Sequence, residues 1–459
     1  MTLFKNALVA AIALLALTLA LANPLGLPTG QARTLGLVLF TLSLWGTGVV
    51  PGYLASLTFL TGVVILDLAP PEAAFSGFSS QAMWLIISGF VIGEAIRSSG
   101  LGHRLALAIG PHLSRSYGAL LLGLMGLAMV LGFLMPSSLG RAVVLVPVGM
   151  ALAERLGFDK GSNGRIGIAL TIAFGAHMPG YAVLPSNIPN VVLAGTAERV
   201  YGLRFAYASY LELHYPVLGL LKSLAIVWLI TRLYPARCDV LPAEAPAEKA
   251  PGETGRQIWL LAVLLTTLGF WMTDTIHGIS PAWIGMAASI VLLLPRVGFM
   301  GPAEFRKATD FGTLLFVSGA LGLGAVVKDS GLGDVIAHAA AAALPLAEGQ
   351  DFLNYLSLSG LAMVTGVFTT IPGVPAVLTS LAAELSEATG LSLDTVLMTQ
   401  VVGFSTILFP YQAGPLIVAM GLTGESLGHL LRMTLSLALI VVVALLPLNF
   451  LWWQVMGMF

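Results

Sequence analysis

Met135-Pro136-Ser137-Ser138-Leu139-Gly140 interrupts an apolar run over 117–154. Proline removes a helix donor and clashes with the preceding turn, which kinks or breaks a helix, and beside two serines and a glycine this point reads as a break. The run reads instead as a re-entrant hairpin, two apolar arms around a polar tip. Three more interruptions follow the same logic. Thr369-Thr370-Ile371-Pro372-Gly373 divides 352–386 into a second hairpin. Pro179-Gly180 and Pro185-Ser186-Asn187-Ile188-Pro189-Asn190 break the helix over 166–196, and Pro410-Tyr411-Gln412-Ala413-Gly414-Pro415 breaks the one over 396–424.

Composition sets the solvent in which these breaks occur. Of 459 residues, 57% are hydrophobic and 9% charged, whereas soluble domains carry about 25% charge. Lipid is therefore the solvent for most of the surface, and the fold class is an all-α polytopic membrane protein. The net charge of −1 gives no footprint for a nucleic-acid partner. A single cysteine, Cys238, allows no internal disulfide. Spans of about 20 apolar residues are expected at 6–23, 34–50, 53–69, 84–97, 209–233, 257–273, 281–296, 312–327 and 430–454, about eleven spanning helices once the broken ones are counted. The first also resembles a secretory signal, with Lys5 ahead of it. It is read as a first span because many others follow.

The chain divides at a polar, proline-containing linker over 235–256. The N-terminal half (1–234) holds the first hairpin and broken helix, and the C-terminal half (257–459) holds the second pair. Gly126-Leu127-Ala128-Met129-Val130 recurs as Gly360-Leu361-Ala362-Met363-Val364. The stretch from Ser88-Gly89 to Gly102 has its counterpart from Ser318-Gly319 to Gly333. Repeated, interrupted helices in corresponding places point to two inverted repeats with a binding site between them. Lys and Arg placement puts the N-terminus in the cytoplasm of an inner-membrane protein. Arg97, Arg104, Arg115, Arg155, Lys160, Arg165, Lys249, Arg306 and Lys307 then lie inside with most other basic residues, and Arg33, Arg199, Arg204 and Lys328 lie outside.

Backbone freed at membrane depth must pair within the protein or line a wet cavity. Broken helices also offer free N–H groups at positive dipole ends, which suit an anion. At the first tip Ser137, Ser138, Gly140 and Arg141 are candidate substrate ligands. Arg141 either clamps an oxyanion in bidentate fashion or snorkels to the interface. Asn187 and Asn190 either bind substrate or satisfy freed backbone. The second half contributes Thr369, Thr370, Tyr411 and Gln412, with no charge at its tip. Candidate ion-coupling residues are Ser137, Ser186, His177 and Ser405, with His177 able to carry a proton. Glu94 and Arg97, at i and i+3, read as a local pair. Gly322, Gly324, Gly331 and Gly333 follow no strand and precede no Gly-Lys-Ser/Thr, so they are not a nucleotide loop. With no metal pair, nucleophile elbow or ATPase motif, the chain is expected not to be an enzyme and to carry no cofactor. Sodium or a proton is the candidate coupling ion.

At these residues the chain resembles the divalent anion–sodium symporter family of the ion transporter superfamily, from about residue 33 to the C-terminus. The ordered matches run over 84–102, the first hairpin, 175–195, 271–295 with His277-Gly278-Ile279-Ser280, 311–333 and 409–424. The resemblance implies a homodimer in which a scaffold holds the interface and a transport domain carrying both hairpins moves as an elevator. It implies a substrate site between the two tips and the two broken helices. The family's Ser-Asn-Thr triplet falls on Ser137-Ser138-Leu139 and near 369–372, and neither asparagine is kept. Of the following motif, Pro189 and Asn190 remain in the first half and Pro415 in the second. Arg141 stands where the family has a small polar residue. A fixed positive charge there would replace a bound sodium, so transport is expected to run without sodium, by proton coupling or by exchange. The function implied is secondary active transport of a small organic anion, a dicarboxylate first. The alternative is a carrier or facilitative pore for a sulfonate, sulfate or monocarboxylate.

Overall fold

Proline, serine and glycine punctuate the helices in this chain more than charge does. The computed structural model describes residues 2–101, 116–238 and 253–459, all helix and connecting loop with no strand among them. Most of the expected linker (239–252) lies outside the described residues, as do Gly102, Arg104, Arg115 and Lys249.

The first half opens with α1 (Thr2–Ala22), α2 (Thr29–Thr47), α3 (Gly52–Ile65) and α4 (Gln81–Ser98). Over the first expected hairpin run α5 (Tyr117–Leu134) and α6 (Ser138–Arg155), with the break at 135–137. Ser116 caps α5, and Ser137 caps α6 by accepting from the Gly140 N–H at 3.1 Å. The first broken helix is α7 (Asn163–His177), two short 3₁₀ turns, then α8 (Ile188–Tyr201), with Pro189 in the first turn of α8. A long span, α9 (Tyr207–Leu233), follows. Its segment Tyr215–Leu221 is π-helical, begins around Pro216, and rests against the Pro179–Ala182 turn.

The second half runs through α10 (Glu253–Met272), α11 (Pro281–Leu293), α12 (Phe311–Asp329) and α13 (Leu332–Ala343). The second hairpin is α14 (Asp351–Phe368) and α15 (Gly373–Thr389), bent by 118° at the break. The second broken helix is α16 (Leu393–Phe404) and α17 (Gly414–Thr423), and α18 (Gly428–Val455) closes the chain.

Five of the described helices are long and apolar enough to cross a membrane by themselves, or six if the bent α14–α15 pair is one span. The expected total of about eleven spans also counted broken helices and shorter apolar segments. Segments such as Gly52–Ile65, Pro281–Leu293 and Gly414–Thr423 are apolar but shorter. α18 is apolar all round: Leu437 and Val441 face inward while Leu439 and Val443 lie open, as a lipid-facing helix requires.

Packing crosses between the halves. α4 lies along α11, and α12 lies along α3. At the second contact Gly319 is obligatory, since a Cβ there would sit 2.4 Å from the Cβ of Ser56. α17 packs on α6 and α7, while α8 packs on α15. The distal half of each broken helix thus touches the hairpin of the other half, and all four breaks are drawn to one place.

Candidate functional site

That place is a cavity of about 580 Å³. Its wall takes residues from every break: Met135 to Gly140, His177 with Tyr181 and 185–189, Thr370 to Pro372, and Gln412 to Pro415. Ile86, Phe90 and Phe316 supply apolar wall. Glu94 and Arg97 of α4, with Asp310 and Thr313 at the start of α12, also line it, and the 44% exposed Arg97 side chain marks this part of the wall as its mouth.

Of the residues expected to bind substrate, Ser137, Ser138, Gly140, Asn187, Thr370 and Gln412 line the cavity, as do His177 and Ser186 from the ion-coupling set. Ser138 donates to Asn187 Oδ1, and the Asn187 amide donates to the His177 carbonyl at 3.1 Å. The Thr370 hydroxyl is buried with no protein partner, so it has a free donor and acceptor at the wall. Gln412 spends its Oε1 on the N–H groups of Leu408 and Phe409, at 2.9 and 2.7 Å, and its Nε2 has no partner. His177 Nε2 lies 2.9 Å from the Tyr181 hydroxyl, while its Nδ1 is buried without a partner.

The direct clamp expected of Arg141 is not what the geometry provides. The residue is fully buried behind the wall. Nε donates to the Ala176 carbonyl at 2.8 Å. Nη1 reaches the Met135 carbonyl at 2.5 Å and Ser186 Oγ at 2.7 Å. Nη2 reaches Ser138 Oγ at 3.1 Å and the Ser186 carbonyl at 3.3 Å. A guanidinium has five N–H donors, and all five point at protein. Nor does it snorkel. It stitches the first tip to the first broken helix and leaves a charge one hydrogen bond behind Ser138 and Ser186. Gly180 makes room for it, since a Cβ at 180 would meet Arg141 Nη2 at 2.6 Å.

Four other expectations move off the wall for similar reasons. Asn190 is buried, and its amide faces the carbonyls of Gly180, Tyr181 and Val183 at 3.0 to 3.1 Å, so it satisfies freed backbone. Thr369 bonds to the Thr365 and Thr370 carbonyls, each at 3.0 Å. Tyr411 is partly exposed and ties its hydroxyl to the Val367 carbonyl at 2.6 Å. Ser405 is buried at the end of α16 and bonds to Lys222.

Two features escaped the sequence reading. Lys222 on α9 is 1% exposed and donates to the Ser405 carbonyl at 2.5 Å. The signal was present, an ionisable residue inside an apolar span, which is costly and therefore functional by default. The second is the mouth of the cavity. Arg97 and Glu94 do pair, with Nε to Oε2 at 2.7 Å, but they do so on the cavity wall. Arg97 is the one Lys or Arg side chain on that wall among the described residues.

Comparison with known proteins agrees with this architecture. The sequence model of a family described as "Sodium:sulfate symporter transmembrane region" matches residues 4–459. A membrane protein of Cupriavidus necator is 26% identical over 90% of this chain and 85% of its own length. A sodium-dependent dicarboxylate transporter, SdcS, of Staphylococcus saprophyticus is 24% identical over 70% of this chain and 66% of its own. The crystal structure of the YdaH transporter of Alcanivorax borkumensis superposes with a TM-score of 0.59 at 16% identity, covering 93% of this chain and 98% of that one. At that identity the likeness is one of fold.

Proposed function

Since the chain belongs to the sodium:sulfate symporter family, a family of multi-pass membrane transporters and not of enzymes, we propose that it is a secondary active transporter moving a small organic anion, first a dicarboxylate, across the inner membrane by an elevator mechanism. One observation carries this reading: four helix breaks bound a single cavity, and a buried cation with no acidic partner stands directly behind its wall. Among the described residues no carboxylate lies within ion-pair distance of Arg141. In a low-dielectric surround such a charge favours an anion in the adjoining cavity.

The ligands in this reading are Ser137, Ser138 and Asn187 with the amide ends at the first tip, and Thr370 and Gln412 at the second. Arg141 holds them in position. The dicarboxylate preference is supported by the activity for which the staphylococcal relative is named. A dicarboxylate needs two donor sets, and the two tips supply one each. The crossed contacts, α4 on α11 against α12 on α3 and α17 on α6 against α8 on α15, support the inverted-repeat organisation. On the orientation taken from basic residues, the Glu94–Arg97 mouth faces the cytoplasm, and the conformation is inward-facing. A homodimer holding two moving transport domains completes the proposal.

The test is counterflow in proteoliposomes with labelled succinate. Saturable uptake, accelerated by unlabelled succinate inside, is expected. Flux that rises linearly with concentration, without acceleration from the other side, would mean a pore.

A further inference from the structure

A helix that stops inside a membrane leaves its last carbonyls without N–H partners and presents the negative end of its dipole. In transporters built on broken helices, such ends are where a coupling cation is held. This chain has two such ends: that of α7 lies on the cavity wall, and that of α16 lies behind it, with the Phe404 ring 5.8 Å from that of the lining residue Tyr181. At the first, the carbonyl of Ala176, next to last in α7, receives Arg141 Nε at 2.8 Å. At the second, the carbonyl of Ser405, just past the end of α16, receives Lys222 Nζ at 2.5 Å, and Ser405 Oγ lies 3.3 Å from the same nitrogen. Both cations are buried, and neither has an ion-pair partner among the described residues.

The two cations come from unrelated places, Arg141 from the first turn of α6 and Lys222 from α9, yet they reach equivalent ends. Lys222 follows directly on the π-helical segment Tyr215–Leu221, and π segments are common where a helix is adapted to a function. That segment also rests on the Pro179–Ala182 turn of the first broken helix. Lys222 is therefore fixed between both broken helices. An ammonium 2.5 Å from Ser405 O occupies the space in which a hard cation would need that oxygen as a ligand.

We infer that Lys222 is a built-in cation at the end of α16, matching Arg141 at the end of α7, and that the protein moves its anion without binding sodium. The inference rests on the transporter reading for its meaning, but the occupancy it asserts can be tested without any anion. The residues present do not fit a sodium-coupled cycle, although the family is named for sodium.

The first measurement is the melting of the purified full-length protein in sodium chloride and in choline chloride at equal ionic strength. The two midpoints are expected to coincide. A saturable stabilisation specific to sodium would overturn the inference, and this arm needs no variant. The second uses Lys222→Ala, which vacates the end of α16. This variant is expected to gain a saturable sodium-specific stabilisation, and Lys222→Arg is expected to remain indifferent to sodium as the wild type is. A folded Lys222→Ala protein as indifferent to sodium as the wild type would also overturn the inference, because a merely structural lysine leaves no cation site behind. The third is succinate counterflow. Wild-type flux is expected to be equal in the two salts, and Lys222→Ala flux at least about tenfold lower in choline than in sodium, the equivalent of one decade in affinity. Strict sodium dependence of wild-type flux would refute the inference. Absence of succinate flux in both salts would refute the dicarboxylate reading, leaving the melting arms to decide on Lys222.

Discussion

Replacing Arg141 with methionine separates a scaffold role from a ligand role. The substitution removes five donor contacts. Three acceptors keep other partners: Ser138 Oγ bonds to Asn187, Ser186 Oγ to the Gly132 carbonyl, and the Met135 carbonyl to the Ser137 N–H. The carbonyls of Ala176 and Ser186 lose their guanidinium donor. An abandoned buried acceptor costs about 1–3 kcal/mol, so two cost roughly 2–6 kcal/mol. Deleting a buried, unpaired charge offsets part of this, leaving a net loss of about 2–4 kcal/mol. With an unfolding entropy of about 2 cal/mol/K per residue, a chain of 459 residues should melt lower by roughly 2–4 °C. The assay is thermal unfolding of the purified protein beside isothermal titration with succinate. Stability and affinity are expected to fall together, because the tip that Arg141 stitches is the tip that binds. Arg141→Lys keeps the charge but reaches at most three acceptors, so it should fall between. If Arg141→Met melts like the wild type while succinate binding vanishes, Arg141 touches the substrate and the stitching argument is wrong.

Other substitutions test single parts of the site. Thr370→Val removes a hydroxyl that has no protein partner, so it should leave melting unchanged and weaken succinate binding by about tenfold; an unchanged binding isotherm would take Thr370 out of the site. Gly180→Ala forces a methyl to within 2.6 Å of Arg141 Nη2 and should destabilise by about 1–3 kcal/mol, visible as a lower melting midpoint with lost transport. Arg97→Gln neutralises the cation at the mouth and should raise the transport KM about threefold at low ionic strength, a difference that shrinks above 0.5 M salt as screening takes over. A defect independent of salt would place Arg97 in direct, unscreened contact with substrate.

The helix breaks are readable where proline stands beside glycine or hydroxyl residues, and proline alone does not decide, since Pro147 lies inside α6. The breaks at 135–137 and 369–372 fall beside Pro136 and Pro372. The site was readable at the level of segments and less so at the level of atoms. Asn190 and Asn187 stand three residues apart in one motif, yet one serves backbone and the other faces the cavity. That difference depends on which way a broken turn coils, a tertiary fact. Arg141 is visible in the sequence as a cation next to the tip, but its five partner atoms come from three separate segments, and no spacing encodes that convergence. Lys222 is legible only as an ionisable residue inside an apolar span, because its partner Ser405 is 183 positions away.

The two tips are held unequally. Across the first tip run three bonds from Arg141 to Ala176 and Ser186, one from Ser138 to Asn187 and one from Ser186 to Gly132. Across the second run the Ile371 N–H to the Gln412 carbonyl at 3.1 Å and the Tyr411 hydroxyl to Val367. At about 1 kcal/mol net apiece, the second tip is held to its broken helix by less than half the hydrogen bonding of the first. The pocket thus closes between a tightly fastened jaw and a loosely fastened one, and parting the tips costs less on the second side.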